Sequence, residues 1–415
     1  MLGLIHNMPR RAIKKVANKM EVFVFDLVHY DKNLAHTAVD GNIPLLGKSY
    51  FEPEIGVKTY ADHLDAWAEM DRLGYDGVAF NEHHATPYGM MNSPNLLAAS
   101  AAQRTKNLKL LIYGNLTPLH DPLRLAEEIA MLDCLSNGRI ICGIARGAAR
   151  EYRTLGVSMS ESRDRFEEAY AIMVGAWTQE VFNFEGKFNS YENIALWPRP
   201  VQQPYPPVWM PVTGSKESIE FAARNNLAIT PGIGGAARED ILRLYGKVQA
   251  EHGRTVTPDK ITIQVDCYIA DSQEQAIREY GPCSEYFTKL FNYGYVSRQE
   301  MQGYFSNDPY AYLRPELRTQ VLAGRDAFAN NSGKVATPTD RATWGSPDQV
   351  TAKLIELCEH AGAGTIMVSF NRGSMPHDMY LNQIRRFAKE VMPALRAHRV
   401  ERVRFAEPAE AAAAE

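Results

Sequence analysis

Apolar residues fall along this chain in short runs that alternate with longer stretches of helical period. The clearest sample is Asp76 to Gly147, which reads DGVAFNEHH, LKLLIYGNLTPLHDPLRLAEEIAMLDCLS and GRIICGIARG. Its three apolar runs, Asp76–Phe80, Leu108–Tyr113 and Arg139–Ala145, are bounded by turn or polar residues. That is the pattern of buried parallel strands joined by crossover helices. EVFVFDLV (Glu21–Val28) predicts a strand before them, and PPVWMPV, LAIT, ITIQVDCYIA and GTIMVSF predict four after them. Between them, Pro94 after Ser93 and Pro122 after Asp121 mark helix starts. Phe166, Tyr170, Met173 and Trp177 form the apolar stripe of another helix, and Ser346 with Gln349 reads as a capping box. FNFEGKFNSYENI, about 182–194, reads as an inserted hairpin. Eight strands alternating with helices predict an α/β fold, a (β/α)8 TIM barrel with insertions at the C-terminal mouth; an open doubly wound sheet is the alternative.

The domain so predicted covers 20–398. A polar excursion at 30–57 and a Tyr-, Asn-, Gly- and Arg-rich insertion at about 286–344 interrupt its rhythm. Residues 1–19 hold five basic residues and no acid, and read as a flexible basic extension; 399–415 read as a disordered tail. A net charge of −4 leaves no footprint for nucleic acid or an anionic membrane surface. No apolar run nears the roughly 20 residues that span a bilayer. Five cysteines without ligand spacing point to a reducing, cytoplasmic setting.

Each central strand hands over to polar residues at its C-terminal end, where barrels and open sheets do their chemistry. Glu82-His83-His84 could hold a metal, form a structural hydrogen-bonded set, or meet a cofactor or substrate. GSKES places Ser215 and Ser218 at a helix N-terminus after a strand, either as a phosphate site or as a plain N-cap. Arg146, ending a strand, suits a phosphate partner; Arg139 could serve likewise or begin its strand as a surface charge. GIGGAA (Gly232–Ala237) lacks the context of a dinucleotide loop and reads as a Gly-rich loop near a ligand. His120 reads as a turn residue.

GYDGVAFNEHH, PLHDPLRLAEEIAMLDCLSNGRIICGIARG, EYRTLGV, SRDRFEEAYAIM, PPVWMPVTGSKESIEFAARNN and the closing GSPDQVTAKL…GAGTIMVSFNRGSMPHDMYLNQIRRFAKEVMPAL resemble the bacterial luciferase-like, flavin-dependent monooxygenases. The resemblance spans roughly 21–395. It implies a TIM barrel that binds FMN at its C-terminal mouth, reduced by a separate NAD(P)H:flavin reductase. O2 would add to FMNH2 as a C4a-hydroperoxyflavin that oxygenates a small, apolar or aromatic substrate. It implies His83 beside the flavin as a catalytic residue, and Glu82 of the same block as a cofactor contact. Asn115 stands where luciferase proper has a reactive cysteine near the flavin, which argues against light emission. The residue remains a catalytic and cofactor-binding position, since an amide can hydrogen-bond the ring. Arg139, Arg146, Gly214, Ser215 and Ser218 match positions that hold the flavin phosphate. The alternatives are F420 as the cofactor, a non-catalytic flavin-binding subunit, and a metal-dependent hydrolase using Glu82, His83 and His84. A homodimer is implied, with the small-residue helix NLLAASAAQ allowing close approach.

Overall fold

The computed structural model describes residues 19–39, 43–232, 234–291, 309–329, 342–371 and 373–406. The strands are β1 (Glu21–Asp26), β2 (Gly77–Phe80), β3 (Lys109–Leu116), β4 (Ile140–Ala145), β5 (Phe182–Glu185) and β6 (Ser190–Ile194). There follow β7 (Val208–Val212), β8 (Ala228–Pro231), β9 (Thr262–Ile269), β10 (Ala342–Gly345) and β11 (Thr365–Ser369). Nine of them form one sheet in the order β10-β9-β11-β1-β2-β3-β4-β7-β8, parallel at every pairing. The expected hairpin is β5 with β6, outside that sheet.

The expectation of eight strands is thus one short. Thr262–Asp266 of β9 pair with β11, but Asp266–Ile269 overrun it and take β10 as a further partner. β10 is the four-residue run ATWG, too short to show a period, and it lies at the end of the stretch read as an insertion.

The sheet is curled. Phe23 of β1 and Trp209 of β7 have ring centroids 5.6 Å apart, although β2, β3 and β4 lie between their strands. Ile229 of β8 also bridges Ile261, the residue before β9. Inside the curl, Phe23, Ala79, Leu111, Tyr113, Ile141, Trp209, Ala228 and Met367 form an apolar cluster drawn from seven strands. Their neighbours Val22, Val24, Leu110 and Ile112 point the other way, into the larger core shared with the helices. Period-two alternation therefore divides each strand between two cores.

Helix boundaries follow local chemistry. Asp121 accepts the Arg124 N–H at 2.8 Å to start the helix Pro122–Ser136, which ends on Asn137 in the left-handed region. Ser346 and Gln349 exchange the reciprocal bonds of a capping box. Ser93 occupies the N-cap position of Pro94–Arg104 without a side-chain cap bond. Val400, Val403 and Ala406, in the stretch read as a tail, are buried. Residues 1–18 and 407–415 lie outside the described residues, as do 292–308 and 330–341 of the insertion. The helix Gln273–Phe291 runs into the insertion, and the helix Pro315–Ala329 lies within it. No helix among the described residues is long and apolar enough to cross a membrane.

Candidate active site

Parallel strands place all their C-terminal ends on one rim. Asn81–His84 follow β2 there, Asn115 lies near the end of β3, Arg146 follows β4, and Gly214-Ser215 follow β7. Arg139 precedes β4 and lies at the opposite end. Its guanidinium donates to the carbonyls of Ala102, Leu108, Thr105 and Ser136 and to Thr105 Oγ1, at 2.8–3.2 Å. It ties helix ends together and is not among the residues the rim assembles.

Each residue of the EHH block has its own task. Glu82 is buried, and its Oε1 accepts from His84 Nε2 and from His120 Nε2, both at 2.8 Å. Its Oε2 accepts the N–H of Leu116 at 2.9 Å, which fixes the backbone beside Asn115. Burial pushes the Glu82 carboxyl up, but the bonds from His120 and His84 outweigh it and hold the group at about 2. For His120, burial pushes down and Glu82 pushes up more strongly, so its pKa lies above the usual histidine range. His120 is therefore a partner of the site and not a simple turn residue. His83 turns the other way. Its Nδ1 lies 3.0 Å from Oε1 of the buried Glu151, and its ring meets Tyr88 edge-on at 4.8 Å. Among the described residues, no three His, Cys, Asp or Glu side chains are grouped to hold a metal ion.

Asn115 is fully buried, and neither Oδ1 nor Nδ2 has a partner. The peptide bond before its neighbour, Tyr113–Gly114, is cis. Leaving a buried amide unsatisfied costs about 1–3 kcal/mol per group, so Asn115 has both a donor and an acceptor open to a polar partner on this rim.

Further round the rim, Ser215 Oγ donates to Ser218 Oγ at 2.7 Å, and Arg163 Nη2 donates to Ser218 Oγ at 2.9 Å. Arg146 Nη1 donates to Ser162 Oγ at 3.3 Å, beside Arg163 in sequence. Gly214 has φ +101°, a conformation other residues rarely adopt, and its carbonyl accepts from Tyr312 Oη at 2.7 Å. Two guanidinium groups, two serine hydroxyls and a helix N-terminus make a donor set suited to a phosphate. Arg163 and Glu151 were missed by sequence reasoning. The signal for both was present: an arginine and an acid in the first turns of the two helices that follow β4.

The roof is aromatic. Phe287 and Phe291, on the helix Gln273–Phe291, pack on Tyr88 at 5.6 and 5.4 Å. Tyr286 Oη accepts the Leu34 N–H and donates to the Lys32 carbonyl, both at 3.1 Å, so this helix holds down the 30–57 excursion. Tyr293 and Tyr295 lie outside the described residues. A cavity of about 430 Å³ opens between that excursion and residues 85–92, walled by Tyr30, Leu34, Phe51, Tyr60 and Met90. Behind β1, Asp26 Oδ2 accepts from His63 at 2.6 Å, Trp67 at 2.8 Å and Tyr380 at 3.1 Å, anchoring the strand end from outside the curl.

A curled parallel sheet with a phosphate-type cradle and a histidine–carboxylate pair on one rim defines an α/β enzyme of the cofactor-binding kind. The chain belongs to the luciferase-like monooxygenase family, which it matches over residues 20–365. It is 39% identical to the uncharacterised protein y4wF of Sinorhizobium fredii over 40% of this chain and 49% of that protein, so the match spans about half of that relative. It is 31% identical to the oxygenase component of flavin-dependent trigonelline monooxygenase from Acinetobacter baylyi, over 52% of this chain and 61% of that one. Its fold is similar to the oxygenating constituent of 3,6-diketocamphane monooxygenase from Pseudomonas putida, solved with FMN, at TM-score 0.67 and 22% identity over 90% and 98% of the two chains. It is also similar to the F420-dependent tetrahydromethanopterin reductase of Methanopyrus kandleri, at TM-score 0.60 and 18% identity over 91% and 99%.

Proposed function

We propose that this protein is an FMN-dependent monooxygenase that receives reduced FMN from a separate NAD(P)H:flavin reductase and uses O2 to oxygenate a small apolar or aromatic substrate. The carrying observation is Asn115, whose buried amide has a donor and an acceptor without partners, on the rim that also holds the arginine–serine cradle. A flavin ring edge offers both complements, and its phosphate suits Arg146, Arg163, Ser215 and Ser218, with Gly214 admitting close backbone approach. When bound, reduced flavin supplies the electrons that activate O2. The protein orients and shields it. Tyr88, Phe287 and Phe291 exclude water, and His83 holds or moves a proton at Nε2, its Nδ1 being engaged by Glu151. Architecturally, the reading is a (β/α)8 barrel of β1, β2, β3, β4, β7, β8, β9 and β11 with β10 added, supported by the Ile229–Ile261 bridge.

F420 is the second reading, favoured by the likeness to the M. kandleri reductase and compatible with the same cradle. Anaerobic titration with FMN, FMNH2 and F420, then exposure to O2 with a panel of apolar and aromatic substrates, decides. His83→Ala should keep FMN affinity within about threefold and lose about 100-fold or more of oxygenation. Product at the wild-type rate would remove His83 from the mechanism; binding of F420 without FMN would replace the reading.

A further inference from the structure

We infer that Glu151 is the positioning residue that sets which ring nitrogen of His83 carries the proton. The inference rests on the proposed role of His83. Glu151 is fully buried on the short helix Ala149–Leu155, which follows β4. One oxygen, Oε2, accepts the N–H of Ala148 at 2.9 Å and so closes the helix start. The other, Oε1, lies 3.0 Å from His83 Nδ1. Arg150 Nη2 lies 3.6 Å from that same oxygen.

An ionised carboxylate only accepts hydrogen bonds. Nδ1 of His83 must therefore carry a proton, and Nε2, across the ring, is left to exchange one with the rim. Burial pushes the Glu151 carboxyl up, but the bond and charge of His83, with Arg150, outweigh it and keep the group below the usual carboxylate range. The neighbouring histidine has the opposite arrangement: His84 engages Glu82 through Nε2. Adjacent rings thus have different nitrogens committed, and only His83 keeps its ε nitrogen out of a carboxylate pair. The cap alone does not require an acid, because glutamine serves equally at the third helical position. The charge at Glu151 answers to His83.

Glu151→Gln separates the two tasks. If its amide oxygen keeps the Ala148 N–H, its NH2 faces His83 Nδ1, which must then become an acceptor, and the ring proton moves to Nε2. The first readout uses flavin-free protein with 15N-labelled histidine. Long-range 1H–15N spectra should show His83 protonated at Nδ1 in the wild type and at Nε2 in Glu151→Gln. In the second, Glu151→Gln should bind FMN within about twofold of wild type, while H2O2 release from FMNH2-loaded protein in O2 slows by about tenfold or more. Glu151→Asp, which restores a carboxylate, should recover part of that loss.

A wild-type His83 protonated only at Nε2 would overturn the inference, and that spectrum decides even if Glu151→Gln does not fold. So would an unchanged tautomer in a folded Glu151→Gln, or a flipped tautomer with unchanged release. Failure to bind FMN in the wild type would instead defeat the proposed function, while the tautomer spectra still test whether Glu151 sets the His83 proton.

Discussion

Glu82 joins three stretches of chain at a single carboxylate: its own, His120 at the start of a helix, and the Leu116 N–H at the end of β3. Its folded pKa is depressed from 4.5 to about 2, so its contribution is present above about 4.5 and lost as pH falls towards 2. That interval corresponds to about 3 kcal/mol. His120 is raised, so its contribution is present below about 6.5 and lost as pH rises through its folded value. The two shifts describe one interaction and do not add. Urea unfolding against pH should therefore show an acid-side slope that Glu82→Gln removes and an alkaline-side decline that His120→Gln removes. Identical slopes in the variants would show that this carboxylate is not ionised and paired. The EHH block itself was legible as a polar cluster at the C-terminal end of a strand, because it follows directly on a buried apolar run. Which acid pairs with which histidine was not, since His83 and Glu151 lie 68 residues apart and only the curl of the sheet joins them. Arg139 carried a readable warning: it begins its apolar run, which places it on the far rim of a parallel sheet.

Between β3 and β4 the fold admits almost no variation. A Cβ on Gly143 would lie 1.8 Å from the Ile112 carbonyl oxygen, and one on Gly114 would lie 2.9 Å from the Gly143 carbonyl carbon. These glycines let two strands of the rim approach closely, with a register shift between Ile112 and Asn115 that sets where Asn115 falls. Gly143→Ala meets backbone and not a movable side chain, so it should destabilise by about 3 kcal/mol or more, read as a lower melting temperature and weaker FMN binding together. A Gly143→Ala protein that melts like the wild type would mean the two strands are farther apart. At this scale sequence patterning worked well: eight runs of strand character, the helix starts at Pro94 and Pro122 and the Ser346–Gln349 capping box all correspond to observed elements. β10 escaped because a four-residue strand has no period to detect; it pairs with Asp266–Ile269 on the edge of β9 away from β11.

Two neighbouring helices on the outer surface carry large apolar side chains that the single chain leaves uncovered. Leu96 on Pro94–Arg104 is 72% exposed, and Met131 and Leu135 on Pro122–Ser136 are 46% and 49% exposed. The two helices lie side by side, with Asn95 Nδ2 bonded to Glu128 Oε2 at 2.8 Å. We propose that this surface joins two copies of the chain. Of the small residues in NLLAASAAQ, Ala98, Ala101 and Ala102 are buried within the chain itself, while Ala99 is half-buried and Ser100 is exposed on the same helix as Leu96. The exposed Leu96, Met131 and Leu135 would supply the large apolar side chains of the contact, since apolar surface left uncovered on a folded chain marks an interaction site. Sedimentation at micromolar concentration should give twice the chain mass, and Leu96→Glu should weaken association by about 100-fold or more, because a charge would be buried without a partner. Leu96 points outward, so the variant's circular dichroism should match the wild type, which separates lost association from lost folding. A wild-type monomer, or a Leu96→Glu protein that stays dimeric, would move the interface elsewhere. The rim with His83 and Asn115 lies at the strand ends and these side chains on the helical flank, so the monomeric variant should still bind FMN. Loss of flavin on monomerisation would mean that the partner copy completes the site.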